Sequence, residues 1–361
     1  MASSEIAVSM PIGGWHPLLP AALRSIALQT VPVNLAILDA SGDPRVAAAL
    51  DASGLEFGYR REGSDSGQAA AIAEGWRNVR GDVLAWLNAD DLLVPDALSR
   101  ALDVLDTDGA ADAVFGDSVI IGINGEVLGV HGQVGDVDER IAVVNCISQP
   151  SCFFRRSAVN AVGGLDEALG YSMDWELWIR MQRAGCVFKR VHDHLSAVYW
   201  GVGTKTSELS PSRLFELFGH TRRHAGLVDA TRMLVGVASQ ALMAAPGTRK
   251  AAGDLARRRA HRGLLACADW NPREQAQERV VIPLINPFDE PRGECVVQVE
   301  GGPCGVEASP AAQVVAEKPG RWRIRLNEAV APGHAARITL TGSDEPSRLL
   351  RVAWNDAPSA A

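Results

Sequence analysis

No stretch of this 361-residue chain reaches the roughly 18 consecutive apolar residues that cross a bilayer. The nearest approach, residues 233–245, contains Gly236, Ser239 and Gln240 and stops at Pro246. Positive charge is not in surplus. The chain has 35 Lys and Arg against 43 Asp and Glu, and a net charge of −8 argues against a general nucleic-acid binder. No Cys-x-x-Cys pair occurs. The cysteines at 146, 152, 186, 267, 295 and 304 are scattered, which speaks against a zinc site or a disulfide framework and for reduced thiols in a cytosolic protein. Cys295 and Cys304 are spaced to face each other across a hairpin, but core packing is the plainer expectation. A basic, apolar leader is also missing. Met1-Ala2-Ser3-Ser4-Glu5 runs straight into the strand-like Ile6-Ala7-Val8-Ser9-Met10, so a secretory signal is not expected. No internal repeat or long low-complexity tract is present.

What is present reads as an ordinary soluble globular chain, 47% hydrophobic and 22% charged. Its length suggests two or three domains. Apolar runs at 6–10, 34–38, 83–87 and 113–115 alternate with helical patterns at 18–29, 68–79 and 97–105. That alternation predicts an α/β domain with a mixed, largely parallel sheet over residues 1–206. Residues 207–275 read as a helical segment with eleven Lys or Arg against six Asp or Glu. This segment packs on the first domain or docks on the inner face of a membrane. Met233, Leu234, Val237, Ala241 and Ala244 recur at helical spacing and favour packing. From 276 to 361 the pattern switches to period two, with runs at 280–285, 295–299, 322–326, 336–340 and 349–354. Gly- and Pro-bearing turns separate them, which predicts a small β-sandwich. These runs are too late in the chain and too distinct in pattern to be expected in the first sheet. An accessory domain that holds an acceptor or partner and a plain structural cap are equally good readings.

The most informative stretch is Trp86-Leu87-Asn88-Ala89-Asp90-Asp91, directly after the apolar Val83-Leu84-Ala85. A buried strand there delivers an amide and two adjacent carboxylates at its carboxyl end, where open α/β sheets bind ligands. Clustered carboxylates repel, and a site that gathers them usually gathers a cation. The plainer reading is an acidic turn followed by a helix cap. Asp39-Ala40-Ser41-Gly42-Asp43 ends the second strand, and its carboxylate is placed to accept an N–H from a base edge. An Asx turn is the default for that pentapeptide. Ser64-Asp65-Ser66-Gly67-Gln68 leads into a helix whose positive N-terminus suits an anion, or is simply an N-cap. Asp174 stands near the start of an amphipathic helix, where an Asp is usually a cap. Glu176 and Arg180 are spaced as an i,i+4 pair.

In this order the segments resemble inverting glycosyltransferases of family 2, which have the GT-A nucleotide-sugar-binding fold. The resemblance runs from about residue 6 to 206. It rests on Ser25-Ile26-Ala27-Leu28-Gln29-Thr30, the Asp39-x-Ser41-x-Asp43 turn, Asp65-x-Gly67-Gln68 with Glu74-Gly75, and Gly81-Asp82 through Asn88-Ala89-Asp90-Asp91. It continues in Phe115-Gly116-Asp117, Gln149-Pro150-Ser151-Cys152-Phe153-Phe154-Arg155-Arg156, Val162-Gly163-Gly164-Leu165-Asp166-Glu167 and the Asp174 helix. The resemblance implies that Asp39 bonds the nucleotide base and that Ser41, Asp65 and Gln68 help hold the donor. Asn88 and Asp90 match the family's Asp-x-Asp element, with Asp90 on a divalent metal, Mg²⁺ or Mn²⁺. Asp91 supports that site and the donor, and Asp174 matches the catalytic base. The implied reaction moves one sugar from a UDP- or GDP-linked donor to a saccharide or lipid-linked saccharide in polysaccharide or glycoconjugate synthesis.

Two departures stand out. Asn88 removes one charge from the acidic element. Many relatives carry a histidine where Gly201 or its neighbour stands, so the metal site is weaker, is served by a substitute such as His192 or His194, or has lost activity. The Gln-x-x-Arg-Trp element and membrane spans of processive synthases are missing, which implies single addition. A saccharide-binding or scaffolding protein that keeps the fold without turnover is the alternative. A nucleotidylyltransferase ranks lower, because Pro11-Ile12-Gly13-Gly14-Trp15-His16 lacks the Lys or Arg such enzymes need after their first strand.

Overall fold

The computed structural model describes residues 5–131, 137–143, 145–201, 204, 210–244, 279–301, 305–341 and 347–355. Cys267, Cys304 and residues 245–275 of the expected helical segment lie outside them.

The first strand explains the layering. β1 (Ile6–Ile12) sends Ile6, Val8, Met10 and Ile12 to one face of the sheet and Ala7 to the other, and all are buried. The strand therefore carries helices on both faces. α1 (Leu19–Ala27), α2 (Pro44–Ala52) and, further along, α4 (Ala97–Thr107) cover the first face; α3 (Gln68–Asn78) covers the second. Pro44 stands at the first position of α2, and the Asp43 carboxylate accepts the Arg45 N–H at 2.9 Å. The pentapeptide read as an Asx turn is thus also a helix cap. Gly75 lets α3 lie close on β1, since a Cβ there would come within 2.3 Å of Ser9 Oγ.

β2 (Val33–Asp39), β3 (Tyr59–Glu62) and β4 (Val83–Trp86) extend β1 in parallel, in the order β3-β2-β1-β4. Beyond β4 the sheet becomes mixed. The short β5 (Leu92–Leu93) leads into α4. β6 (Ala113–Ile121), β7 (Val127–His131) and β8 (Cys152–Arg155) follow, with β8 antiparallel to both β4 and β6. α5 (Arg156–Ala161) and α6 (Met173–Arg183) precede the long β9 (Phe188–Tyr199), which runs parallel to β6 and antiparallel to β5. The expected mixed α/β sheet is present, and its parallel half is the half that ends at Asp39 and the acidic corner.

α7 (Pro211–Ala225) and α8 (Leu227–Ala244) form the expected helical segment and pack on the second face. Leu217 and Met233 are buried with the core residues of α6, and Leu234 and Val237 pack against them. Among the described residues no helix is long and apolar enough to cross a membrane.

The C-terminal strands form two antiparallel layers. β10 (Arg279–Ile285), β12 (Gly305–Ser309) and β15 (Ala335–Thr341) make one, in the order β10-β15-β12. β11 (Arg292–Gly301), β13 (Ala312–Lys318), β14 (Arg321–Val330) and β16 (Ser347–Trp354) make the other. Cys295 is buried in the core between them, as its plainer reading expected. One expectation is corrected. β16 pairs with β7 through Val352 and Val127, so the second layer continues the main sheet edge to edge. Val127 is buried and sits in the same apolar cluster as Val297, Ile324 and Val352. A period-two pattern reports that a strand has one wet face and says nothing about which edge it joins.

Candidate active site

The carboxyl edge of the parallel strands gathers the acidic corner. Asp39 is buried at the end of β2 and accepts the Ser41 N–H at 2.8 Å and the Ser41 hydroxyl at 2.5 Å. Asp39 and Ser41 thus form one closed turn beside the loop that follows β1. Asp65 accepts the Gly67 N–H at 2.9 Å and pairs with Arg61 at 3.3 Å, which shapes the entry to α3. Gln68, the first residue of α3, donates its amide to Asn88 Oδ1 at 2.8 Å. Asn88 in turn donates to Asp91 Oδ2 at 3.0 Å and to Gln149 Oε1 at 3.3 Å, and the Gln149 amide returns to the Trp86 carbonyl at 2.9 Å. Asp91 Oδ1 accepts the Tyr199 N–H at 3.0 Å. Gln68, Asn88 and Asp91 are therefore one network that holds the corner rigid.

Two carboxylates side by side in that buried corner cost free energy when ionised. Burial, and then the charge of Asp90, push Asp91 well above the usual carboxylate range, against the pull of the Tyr199 N–H and the Asn88 amide. Asp90 is also raised by burial, opposed by His16. Asp91 and Asn88 already use these oxygens within the protein, and Asp90 is left to face a ligand. Among the described residues no group of three or more His, Cys, Asp or Glu side chains gathers to hold a metal. One carboxylate fits a hard cation that takes its other ligands from water and substrate phosphates, as Mg²⁺ commonly does.

The histidine beside Asp90 is His16, not His192 or His194. His16 lies in the loop after β1, and its ring stands 4.7 Å from that of Tyr199, centroid to centroid. Burial lowers its proton affinity, and Asp90 opposes that. Its Nδ1 accepts the Leu18 N–H at 3.3 Å, which places the ring proton on Nε2. His192 is exposed on β9, and His194 is buried with Asp117 and Asp193 as its charged neighbours. A side chain at position 201 would have to displace the Tyr199 ring. A Cβ on Gly201 would stand 2.0 Å from the Tyr199 hydroxyl.

Asp174 lies in the first turn of α6, partly buried, with Oδ1 accepting the Trp175 N–H at 2.7 Å. Burial raises it to about 6, and Glu216 adds to the shift. Its charge reaches Cys152, whose thiol is pushed well up by burial and then by Asp174. Cys152 begins β8, whose register against β4 places it level with the strand end that leads to the acidic corner. Asp174 thus lies within electrostatic reach of Cys152, which sits level with the end of β4. Glu176 and Arg180 do pair, at 2.7 Å, but as a buried link, since Arg180 also donates to the Gly164 carbonyl at 2.7 Å.

Sequence reasoning missed His16, Tyr199, Gln149 and a knot of buried serines. Ser118 Oγ lies 2.7 Å from Ser148 Oγ, 2.9 Å from Ser151 Oγ and 2.8 Å from Ser196 Oγ. That knot ties the short turn carrying Gln149 to β6 and β9. His16 was findable, because a polar residue in the loop after a first parallel strand is at the ligand edge. The serines and Tyr199 leave no such trace.

Residues 16–159 match the family model described as Glycosyl transferase family 2. The expected resemblance stands over that segment, which ends before α6 and β9. No curated protein sequence matches significantly. Among solved structures, the chain is similar to the mannosyltransferase PcManGT from Pyrobaculum calidifontis in complex with GDP-Man and Mn²⁺, at 17% identity. That match covers 72% of this chain and 81% of that one, with a TM-score of 0.49. It is also similar to S. aureus TarS 1-349 in complex with UDP-GlcNAc, at 13% identity, covering 67% and 73%, with a TM-score of 0.47.

Proposed function

We propose that this protein is an inverting glycosyltransferase that moves one sugar from a UDP- or GDP-linked donor to a saccharide or lipid-linked saccharide acceptor. The observation that carries the reading is the buried Asp90–Asp91 corner at the carboxyl end of β4, and Asp174, a carboxylate raised to about 6, supports it as the base. A base with that affinity is ionised at neutral pH and still takes a proton readily. The acceptor hydroxyl gives its proton to Asp174, with Oδ1 held by Trp175 and the second oxygen receiving it. The acceptor oxygen forms the new bond to the anomeric carbon as the bond to the diphosphate breaks, and the electron pair leaves with the phosphate. One displacement from the face opposite the leaving group inverts the centre.

Asp39 would hold the base edge. Asp90 would hold a divalent cation, Mg²⁺ or Mn²⁺, which when bound neutralises charge on the nucleoside diphosphate. His16 stands where its Nε2–H can donate to phosphate oxygens. The same proposal treats residues 1–206 as the catalytic unit of a cytosolic enzyme, with 207–275 as its helical support and 276–361 as an accessory β unit attached through β16.

Release of nucleoside diphosphate from a panel of UDP- and GDP-sugars, with Mn²⁺ and with chelator, tests the reading. Binding without release under every condition would favour the second one, a saccharide-binding protein that has kept the fold. Gly201, where many relatives carry a histidine, is what speaks for that second reading.

A further inference from the structure

We propose that Glu216 is the positioning residue for Asp174, acting as a carboxylate staple that α7 inserts into the loop before α6. The inference rests on the reading of Asp174 as the base. Three successive backbone N–H groups point at this one side chain. Gly170 donates to Oε2 at 2.7 Å, and Tyr171 and Ser172 donate to Oε1 at 2.8 and 2.6 Å. The Ser172 hydroxyl adds a fourth bond at 2.9 Å. Ser172 is the N-cap of α6, yet it makes no side-chain cap bond to its own helix. Its hydroxyl goes to Glu216 instead. Hydrogen bonds to an ionised acceptor are the strong ones, and a negative group at a helix N-terminus is favoured by the helix dipole.

Asp174 is two residues beyond Ser172, so the direction of its carboxylate follows from where that loop is held. The loop needs such a tether. Gly163 and Gly164 both have positive φ, 89° and 78°, and Gly170 follows six residues later. α7 is itself anchored on α6 next to the base. Leu217 is buried, the His220 ring lies 4.6 Å from that of Trp175, and His224 Nε2 is 3.5 Å from the Glu176 carboxylate. The ionised Glu216 has a second effect, since its charge is one of the causes that hold Asp174 up. Among the described residues, the Cys152 thiol is also in electrostatic contact with Asp174.

Glu216→Gln in the full chain separates a positioning role from a merely structural one. The amide keeps one acceptor oxygen for Tyr171 and Ser172, but it loses the charge and turns an NH₂ towards the Gly170 N–H. Turnover should fall about ten- to a hundredfold, the scale of a small misplacement of a reacting group. Donor KM should stay within about twofold of wild type, as the groups that donate to Glu216 are Gly170, Tyr171 and Ser172 and not the residues proposed to hold the donor. The acid limb of the pH profile should move below that of wild type. Glu216→Asp keeps the charge and shortens the reach, so it should lower turnover with the limb left in place. A ¹³C carboxyl titration of Asp174 reads the same displacement without any turnover. An unshifted Asp174 titration together with near-normal turnover in Glu216→Gln would overturn the staple. If Asp174→Asn keeps normal transfer, the base reading fails instead; the titration still reports whether Glu216 acts on Asp174.

Discussion

At the scale of single residues, Asp174 carries opposed demands. Its carboxyl is raised from 3.8 to about 6. The folded chain therefore binds this proton more tightly than the unfolded chain, so stability falls as pH rises from about 4 through about 6 and is flat above that. With Asp174 as the proposed base, activity should follow the ionised form and rise over the upper part of that window. The profile of kcat/KM against pH should show an acid limb near 6, and a limb near 4 would mean that burial does not act on this group as described. Asp174→Asn should lower turnover by roughly 10²–10⁴-fold, the usual worth of a positioned base, while nucleotide binding persists. The same change should raise stability at pH 7 by about 1–3 kcal/mol, because a carboxylate held about two pK units out of place is removed. Loss of stability in thermal melts at pH 7 would contradict this.

The metal prediction is also a matter of single side chains. Asp90→Ala should abolish the metal-dependent part of nucleoside diphosphate binding, whereas Asp39→Ala should weaken binding with or without metal. Calorimetric titration in Mn²⁺ and in chelator distinguishes them. Undiminished binding by the Asp90 variant in Mn²⁺ would remove the site. Asp39, Asp90 and Asp91 were legible in the sequence, because carboxylates at the end of an apolar run stand out. The partners that hold them were not. Asp91 meets Tyr199 across 108 positions, and Glu216 meets Gly170 across 46. Contacts at such separations leave no periodic mark in a single sequence.

At the scale of elements, legibility followed burial. β1, β2 and β4 are buried along most of their length and read as apolar runs. β13 is exposed along almost all of its length, so it offered no alternation to read. α8 is the informative intermediate. Ala230 and Met233 are buried, and Leu234 and Val237 pack on the core, while Leu227, Val228 and Val235 stay exposed. Its buried stripe is the packed helix favoured by spacing alone. Met233→Asp should therefore destabilise the chain by about 2–5 kcal/mol, as for other charges or gaps forced into cores. Val235→Asp should have little effect. Sedimentation with anionic and neutral vesicles at low and high salt should leave the protein in the supernatant throughout. Pelleting with anionic vesicles at low salt alone would show that the exposed ridge of α7 and α8, which also carries Arg222, Arg223 and Arg232, meets lipid.

At the scale of the whole molecule, the C-terminal layers raise the question of independence. Their period-two pattern marked a second unit, and two antiparallel layers are there. Their attachment was not legible, because edge pairing depends on backbone and not on side-chain type. Three features tie them to the first half. β16 meets β7 through Val352 and Val127. Arg24, in the last turn of α1, donates to the carbonyls of Pro287 and Phe288 at 3.4 and 3.2 Å and pairs with Asp289. Gly333 lies so close to that turn that a Cβ would come within 2.4 Å of Leu28 Cδ1. α1 starts at the ligand edge and runs away from it, so its last turn is at the far end. The C-terminal unit thus braces the first half at the last turn of α1 and at β7. A brace predicts one cooperative unfolding transition for the full chain, with calorimetric and van't Hoff enthalpies equal. It also predicts that Arg24→Ala lowers stability by about 0.5–1.5 kcal/mol with turnover unchanged, since two part-buried carbonyls lose their donor. A chain ending at Gln275 should melt lower and bind donor only in proportion to its folded fraction. Two separate transitions, with a truncated chain that binds donor normally but fails on long acceptors alone, would instead make the C-terminal layers an acceptor-holding domain.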